Sequence, residues 1–321
     1  MAQNNRMNLT QFNANKCKPA FDAFLVRLSK NNIDIGLVSE PRHYNNKIPN
    51  PGGYDLLYDT SGSKVPRTAV IIKRGIKYIP LYQFVSPDLV AVEIKADFSG
   101  SYINVVIASG YHDVNTDSVP PLLKKLVDFC KAEDKQLLYE CDANAHNEIW
   151  GSKKTRPRGR EFLDFLVAED LALANHGCTP TFHTIRQVGR QLQEFQDCID
   201  LTFATPNLYQ KIVNWKVSED ISLSDHRFIG FSVSMAVPEK VSYRNPRNTD
   251  WVKFNELLEV KMADIDLNIR NQHQLNSSVE KFNMILQICY YESCPEISLC
   301  NNKNSKWWNN NLTKMRQDLR K

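Results

Sequence analysis

The sequence predicts an α/β fold, a four-layer sandwich of two packed mixed β-sheets with helices on their outer faces. Three observations predict it. Through the first two-thirds of the chain, apolar strand-like runs alternate with stretches of helical periodicity. Some strand-like runs follow one another directly while others are separated by a helix, which fits two sheets better than one wound sheet. Hydrophobic residues make up 42% and charged residues 24% of 321 residues, a balance that supports a packed core and excludes wholesale disorder.

Taken in order, MNLTQFN reads as a strand, and PAFDAFLVRLSKN repeats apolar residues at helical spacing through Phe21, Phe24, Leu25 and Leu28. IDIGLVSE is a buried strand that ends in an acid. After a loop rich in Pro, Gly and Asn come four further strand-like runs, YDLLY, TAVIIK, LVAVEIKA and YINVVIASGY. Ser118 with Pro120 and Pro121 opens a helix whose inner face is Leu122, Leu123, Leu126, Val127 and Cys130. KQLLYECD is the next strand, EFLDFLVAEDLAL a helix, and CIDLTFAT and RFIGFSVSM the last strands of this region. At Ala236–Arg247 the composition shifts to a charged, proline-containing linker. Beyond it lie amphipathic helical stretches without strong strands. The expected domains are therefore 1–237 and a helical segment, 238–321.

Several classes are set aside. No apolar run approaches the roughly 18 residues a membrane-spanning helix needs, and MAQNNRMNLTQ lacks the apolar stretch of a secretory signal. The eight cysteines have no paired CxxC spacing, which points to reduced thiols rather than a disulfide framework or a zinc finger. The net charge of +4 does not by itself imply nucleic acid, but SKKTRPRGR carries Lys153, Lys154, Arg156, Arg158 and Arg160 without an acid.

Polar residues stand at the ends of buried strands: Asn13, Glu40, Tyr111, Asp142 with Asn144, and Asp225 with His226 just before the final strand. Asp200 lies inside CIDLTF, where a carboxylate is costly unless paired or hydrogen-bonded. One Asn or Asp after a strand is an ordinary turn former. So many in one α/β chain point to a site, because such folds place ligands at the carboxyl ends of their strands.

LTQFNANKCKPA, LVSEP, ASGY, CDANAHNEIWGS, PTF, CIDLTFA and SLSDHRFIGF, in this order, resemble the endonuclease domain of non-LTR retrotransposon polyproteins. That domain belongs to the endonuclease/exonuclease/phosphatase superfamily, with apurinic/apyrimidinic endonucleases and deoxyribonuclease I. The resemblance covers about residues 7–235. Weaker likeness in YRNPRNTDW and WWNNNLTKMR implies a segment joining the endonuclease to a reverse transcriptase further along a longer polyprotein.

The resemblance implies a divalent-metal-dependent DNA endonuclease whose nick leaves a 3′ hydroxyl to prime reverse transcription. Mg²⁺, or Mn²⁺, would be held by Glu40 with Asn13 and Asp225 close by, since a hard cation takes oxygen ligands. Asp142 would take or direct the proton of the attacking water, with Asn144 holding that water or a phosphate oxygen. His226, oriented by Asp200, would donate to a phosphate oxygen, and Tyr111 would add a hydroxyl contact.

The implied partners are double-stranded DNA, the reverse transcriptase domain and element RNA, with no membrane, and the implied place of action is the nucleus. Lys153, Lys154, Arg156, Arg158 and Arg160 would contact phosphates along the rim. HTIRQVGRQLQEFQD would form a hairpin carrying Arg186 and Arg190 toward a groove. His112, Asp113, Glu140 and Cys141 depart from the family pattern, and His146 has no assigned role. The alternatives are a phosphoesterase of the same superfamily acting on a small phosphate and a silent DNA-binding module.

Overall fold

A computed structural model describes residues 6–298 apart from positions 63, 99–100, 178, 190, 236–241, 245, 264 and 266–268. Arg190 and the WWNNNLTKMR segment lie outside the described residues. The chain divides into two compact units, Met1–Glu239 and Lys240–Lys321.

The first unit opens with β1 (Met7–Asn13), α1 (Lys18–Lys30), β2 (Ile35–Ser39), β3 (Tyr54–Leu57) and β4 (Thr68–Lys73). A meander of β5 (Tyr78–Ser86), β6 (Leu89–Phe98) and β7 (Ser101–Tyr111) leads to α2 (Pro121–Ala132), β8 (Gln136–Asp142), α3 (Pro157–Ala168) and β9 (Ala172–Leu173). The hairpin β10 (Phe182–Val188) and β11 (Gln191–Asp197) precedes β12 (Asp200–Ala204), the short α4 (Pro206–Tyr209), β13 (Ile212–Val217) and β14 (Ile229–Val233).

Two six-stranded sheets result, ordered β13-β14-β1-β2-β4-β3 and β5-β6-β7-β8-β12-β9, both mixed. Their inner faces meet in a core that includes Leu9, Leu37 and Val70 from one sheet and Val92, Ile107 and Leu138 from the other. Phe21, Phe24 and Leu28 of α1 cover the outer face of the first sheet against Phe12, Val38 and Ile71. Leu123 and Leu126 of α2 and Phe162 of α3 cover the second sheet against Ala108, Tyr139 and Phe203. Apolar residues at i, i+3 and i+7 give α1 one buried stripe, and a proline in the first turn opens each of α1, α2 and α3. These are the four expected layers.

Several elements differ from the sequence reading. β9 is a strand at the end of the expected helix EFLDFLVAEDLAL, and two short strands, Ser242–Arg244 and Glu296–Ser298, lie in the expected helical segment. Three more differ for a clear local reason. β5 carries Pro80 and alternates irregularly between exposed and buried positions, which an edge strand tolerates because Pro need not donate to the ladder there. β13 is the opposite kind of edge, bulged around Asn214, whose φ of 58° breaks the regular strand pattern. α3 begins at Pro157, not at Glu161, so Arg158 and Arg160 are helical rather than part of a basic loop.

In the second unit α5 (Trp251–Met262) is capped by Asp250, which accepts from the Val252 and Lys253 amides. Asn271 caps α6 (Gln272–Ser293) in the same way, and β15 (Ser242–Arg244) pairs with β16 (Glu296–Ser298). Among the described residues no helix is long and apolar enough to cross a membrane.

Candidate active site

Strand register collects the polar strand ends at one edge of the two sheets. Asn13 pairs with Ser39 in the parallel β1–β2 ladder, so Asn13 and Glu40 emerge side by side. Tyr111 pairs with Asp142 in the parallel β7–β8 ladder, and Asp142 stands opposite Asp200 across β8 and β12.

Asn13 ties the two sheets together. It is fully buried, and its Nδ2 donates to Asp142 Oδ2 at 2.8 Å and to Glu40 Oε2 at 3.4 Å, while its Oδ1 accepts from the Asn15 amide at 2.8 Å. Glu40 adopts left-handed backbone, φ 43°, which costs a residue with a β-carbon about 1–2 kcal/mol. Its conformation is held from both ends, since its amide donates to the Arg67 carbonyl at 2.7 Å and its carbonyl accepts from the Lys16 amide at 2.8 Å. Lys16 Nζ also lies 2.9 Å from Glu40 Oε1. Asn144, φ 47°, is pinned similarly: its amide donates to Asp142 Oδ1 and its Nδ2 to the His112 carbonyl, both at 3.1 Å. Strain of this kind, maintained by its surroundings, is typical of functional positions.

His226 is buried with Nδ1 2.8 Å from Asp200 Oδ2 and Nε2 4.0 Å from Asp142 Oδ2. Burial opposes a charge on the imidazole, but the Asp200 carboxylate more than offsets it and raises its pKa to about 9. Burial, and then the Asp200 charge, pushes Asp142 up to about 7 against the opposing pull of His226. A carboxyl ready to take a proton near neutrality thus sits beside an imidazolium that keeps its own.

Asp225 accepts from Asn15 Nδ2 at 2.9 Å. Tyr111 lies under the Arg67 guanidinium, 4.8 Å from its ring centroid, and Arg67 is fixed in turn by Asp88 and Asp113. Burial and the neighbouring Glu40 and Asp142 charges hold the phenol proton firmly on Tyr111.

Glu40, Tyr111, Asp142, Asn144, Asp225 and His226 line one open cleft of ≈ 600 Å³, with Asn13 and Asp200 buried behind it. Lys153, Arg156 and Arg186 line the same cleft. Lys154 and Arg160 are exposed and outside its lining. Arg158 turns inward: its Nη1 donates to the Thr116 carbonyl at 2.7 Å and its Nε to the Ala143 carbonyl at 3.4 Å. That guanidinium braces the loop after β8 and is not among the side chains that line this cleft. The next residue, Gly159, is there for close approach, since a β-carbon would meet the His146 carbonyl oxygen at 1.9 Å.

The sequence reading passed over Gln11, Asn15, Lys16, Arg67 and the His146 Nδ1–Asp197 Oδ2 pair at 2.9 Å. Gln11 had a signal, a polar residue at an inward position of a strand; Arg67 had none. One ligand atom each from Asp142, Asp200 and His226 come within 4.8 Å of one another, a different group from the expected Glu40, Asn13 and Asp225. Asp200 and His226 are already hydrogen-bonded to each other, so the group reads as a proton-sharing set.

Residues 105–230, which hold Tyr111 through His226, match the family model described as endonuclease-reverse transcriptase. Within those residues the chain is similar to that family. The fold is similar to that of the endonuclease domain of TRAS1, a telomere-specific non-LTR retrotransposon, at 24% identity over 71% of this chain and 98% of that one, TM-score 0.59. It is also similar to the catalytic domain of Xenopus laevis APE2 (13% identity, 71% and 92% covered, TM-score 0.57). The AP endonuclease LMAP from Leishmania major is a third such structure (10% identity, 71% and 87% covered, TM-score 0.51). No curated protein matches the chain. The fold of the first unit is thus of the deoxyribonuclease I-like kind.

Proposed function

We propose that the chain is a divalent-metal-dependent DNA endonuclease that nicks target DNA and leaves a 3′ hydroxyl from which reverse transcription starts. The observation that carries this reading is the Asp142–His226–Asp200 set, with separations of 4.0 and 2.8 Å, behind an open cleft lined by Lys153, Arg156 and Arg186.

The donor set fits a hard cation. Glu40 and Asp225 offer carboxylate oxygens to the cleft, and Glu40 already binds the positive charge of Lys16. Asn13 turns its amide nitrogen toward Glu40, so it joins as an oxygen ligand only with that amide reversed. When bound, Mg²⁺ or Mn²⁺ supplies positive charge to the phosphate and to the leaving 3′ oxygen. Asp142 takes the proton of the attacking water, which Asn144 helps to hold. His226, kept cationic by Asp200, donates to a phosphate oxygen, and Tyr111 adds its hydroxyl. The partners are double-stranded DNA in the nucleus, a reverse transcriptase domain of the same polyprotein and element RNA.

The test is supercoiled plasmid with Mg²⁺, and with EDTA as control. Relaxed circles whose nicks a polymerase extends are expected, and only with the metal. Plasmid left intact while a small phosphate monoester is hydrolysed would favour the small-substrate phosphoesterase instead.

A further inference from the structure

Gln11 and Glu140 are polar where their strands call for apolar residues. Side chains two apart share a face of a strand. Leu9 on β1 and Leu138 on β8 belong to the core between the sheets, so Gln11 and Glu140 project into that same space from opposite sides. Each lies one step deeper than a site residue, Asn13 or Asp142. They are 1% and 0% exposed.

Gln11 Nε2 donates to Asp200 Oδ1 at 3.1 Å, but Gln11 Oε1 is buried without a hydrogen-bond partner. Neither Glu140 oxygen has a partner of good geometry. Glu140 stands opposite Thr202 in the β8–β12 ladder and diagonal to Asp200. The Thr202 hydroxyl, which accepts from Trp215 Nε1 at 2.7 Å, has one proton to offer and so can serve only one of the two Glu140 oxygens, leaving the other without a partner. Burial foremost, with the Asp200 charge adding to it, raises the Glu140 pKa well above the usual carboxylate range. A protonated carboxyl is a donor, and buried oxygens of this kind are satisfied together when a proton lies between them.

We propose that Glu140 is a positioning residue: as a neutral acid it donates to Gln11 Oε1, fixing the amide so that Nε2 faces Asp200 and holds Asp200 on His226. With that donor gone the amide is free to turn and present its oxygen to the carboxylate. Glu140 is thereby tied to the reaction through two side chains without touching substrate. The inference rests on the nuclease reading of the Asp200–His226 pair.

The experiment compares Glu140→Gln, Glu140→Leu, Gln11→Leu and the Gln11→Leu/Glu140→Leu double variant with the full chain in single-turnover nicking at saturating DNA and Mg²⁺. Glu140→Gln can still donate and keeps its rate. Glu140→Leu and Gln11→Leu each slow cutting about five- to tenfold, the worth of one buried hydrogen bond, with DNA affinity unchanged. The double variant is no slower than either single one, because one contact chain has been cut. Glu140→Leu melts no lower than wild type, since removing a buried acid need not destabilise. Wild-type cutting by Glu140→Leu, additive losses in the double variant, or equal slowing in Glu140→Gln would overturn the proposal.

Infrared difference spectra of wild type against Glu140→Gln separate this inference from the function itself. Loss of a protonated-carboxyl band at neutral pH is expected whether or not the wild type cuts DNA, and its absence overturns the proposal independently. Failure of the wild type to nick plasmid with that band present would count against the nuclease reading alone.

Discussion

Asp200 and His226 share a 2.8 Å contact between Oδ2 and Nδ1, and both are almost wholly removed from solvent. The second Asp200 oxygen is taken by Gln11, so the carboxylate cannot turn away from the imidazole. Asp200→Asn should keep the shape but offer an amide that favours the wrong imidazole tautomer. We expect a loss of roughly 10²–10⁴ in single-turnover nicking with little change in melting temperature. Nicking at the wild-type rate would remove His226 from the chemistry.

The same pair sets a pH profile. Asp142, raised to about 7 by burial and by Asp200, must lose its proton to act as base, so activity rises with pH through that value. His226, held up to about 9 chiefly by Asp200 against the cost of burial, must keep its proton, so activity falls above it. The rate should be bell-shaped, and more Mg²⁺ should move the acid limb to lower pH because a nearby dication favours the carboxylate. A flat profile from pH 6 to 10 (a range set on the order of these two limbs) would contradict both roles.

Glu40→Gly separates metal binding from stability. Glycine accepts the left-handed backbone that Glu40 occupies at φ 43°. The variant should stop metal-dependent nicking yet unfold no earlier, with a gain of up to about 1 kcal/mol. Retained nicking would exclude Glu40 as a ligand.

The basic residues divide by what they touch. Lys153 and Arg156 line the cleft, so replacing both by Ala should lower the slope of log affinity against log salt by about 2, with the cutting rate at saturating DNA little changed. Arg158→Ala should leave that slope alone and cost roughly 1–3 kcal/mol of stability, because it frees the Thr116 and Ala143 carbonyls. The reverse pattern would return Arg158 to the DNA-facing set.

Arg186 is on the hairpin wall of the cleft, over the Phe182 ring at 6.0 Å. Arg186→Ala should redistribute nick positions on a mapped duplex more than it changes the total cut. An unaltered map would take the hairpin out of target choice.

The strands that carry the site were legible because they are buried on both faces and so read as apolar runs that stop abruptly at a polar residue. Asn13, Glu40 and Asp142 announce themselves this way and Asp200 as an acid within a buried run, and their order along the chain carries the family resemblance. The edge strands β5 and β13 were not legible, because partial exposure and local breaks at Pro80 and Asn214 erase the two-residue period. The sequence by itself determined which residues stand at strand ends, and hence the chemistry available. Only tertiary structure decided which of them share a proton and which of the basic residues face outward. Burial and the 2.8 Å approach of Asp200 to His226 bring together residues 26 apart in the chain, and the inward turn of Arg158 depends on carbonyls from two other segments. Local pattern encodes periodicity, whereas charge pairing and desolvation are set by distances between elements that the pattern does not contain.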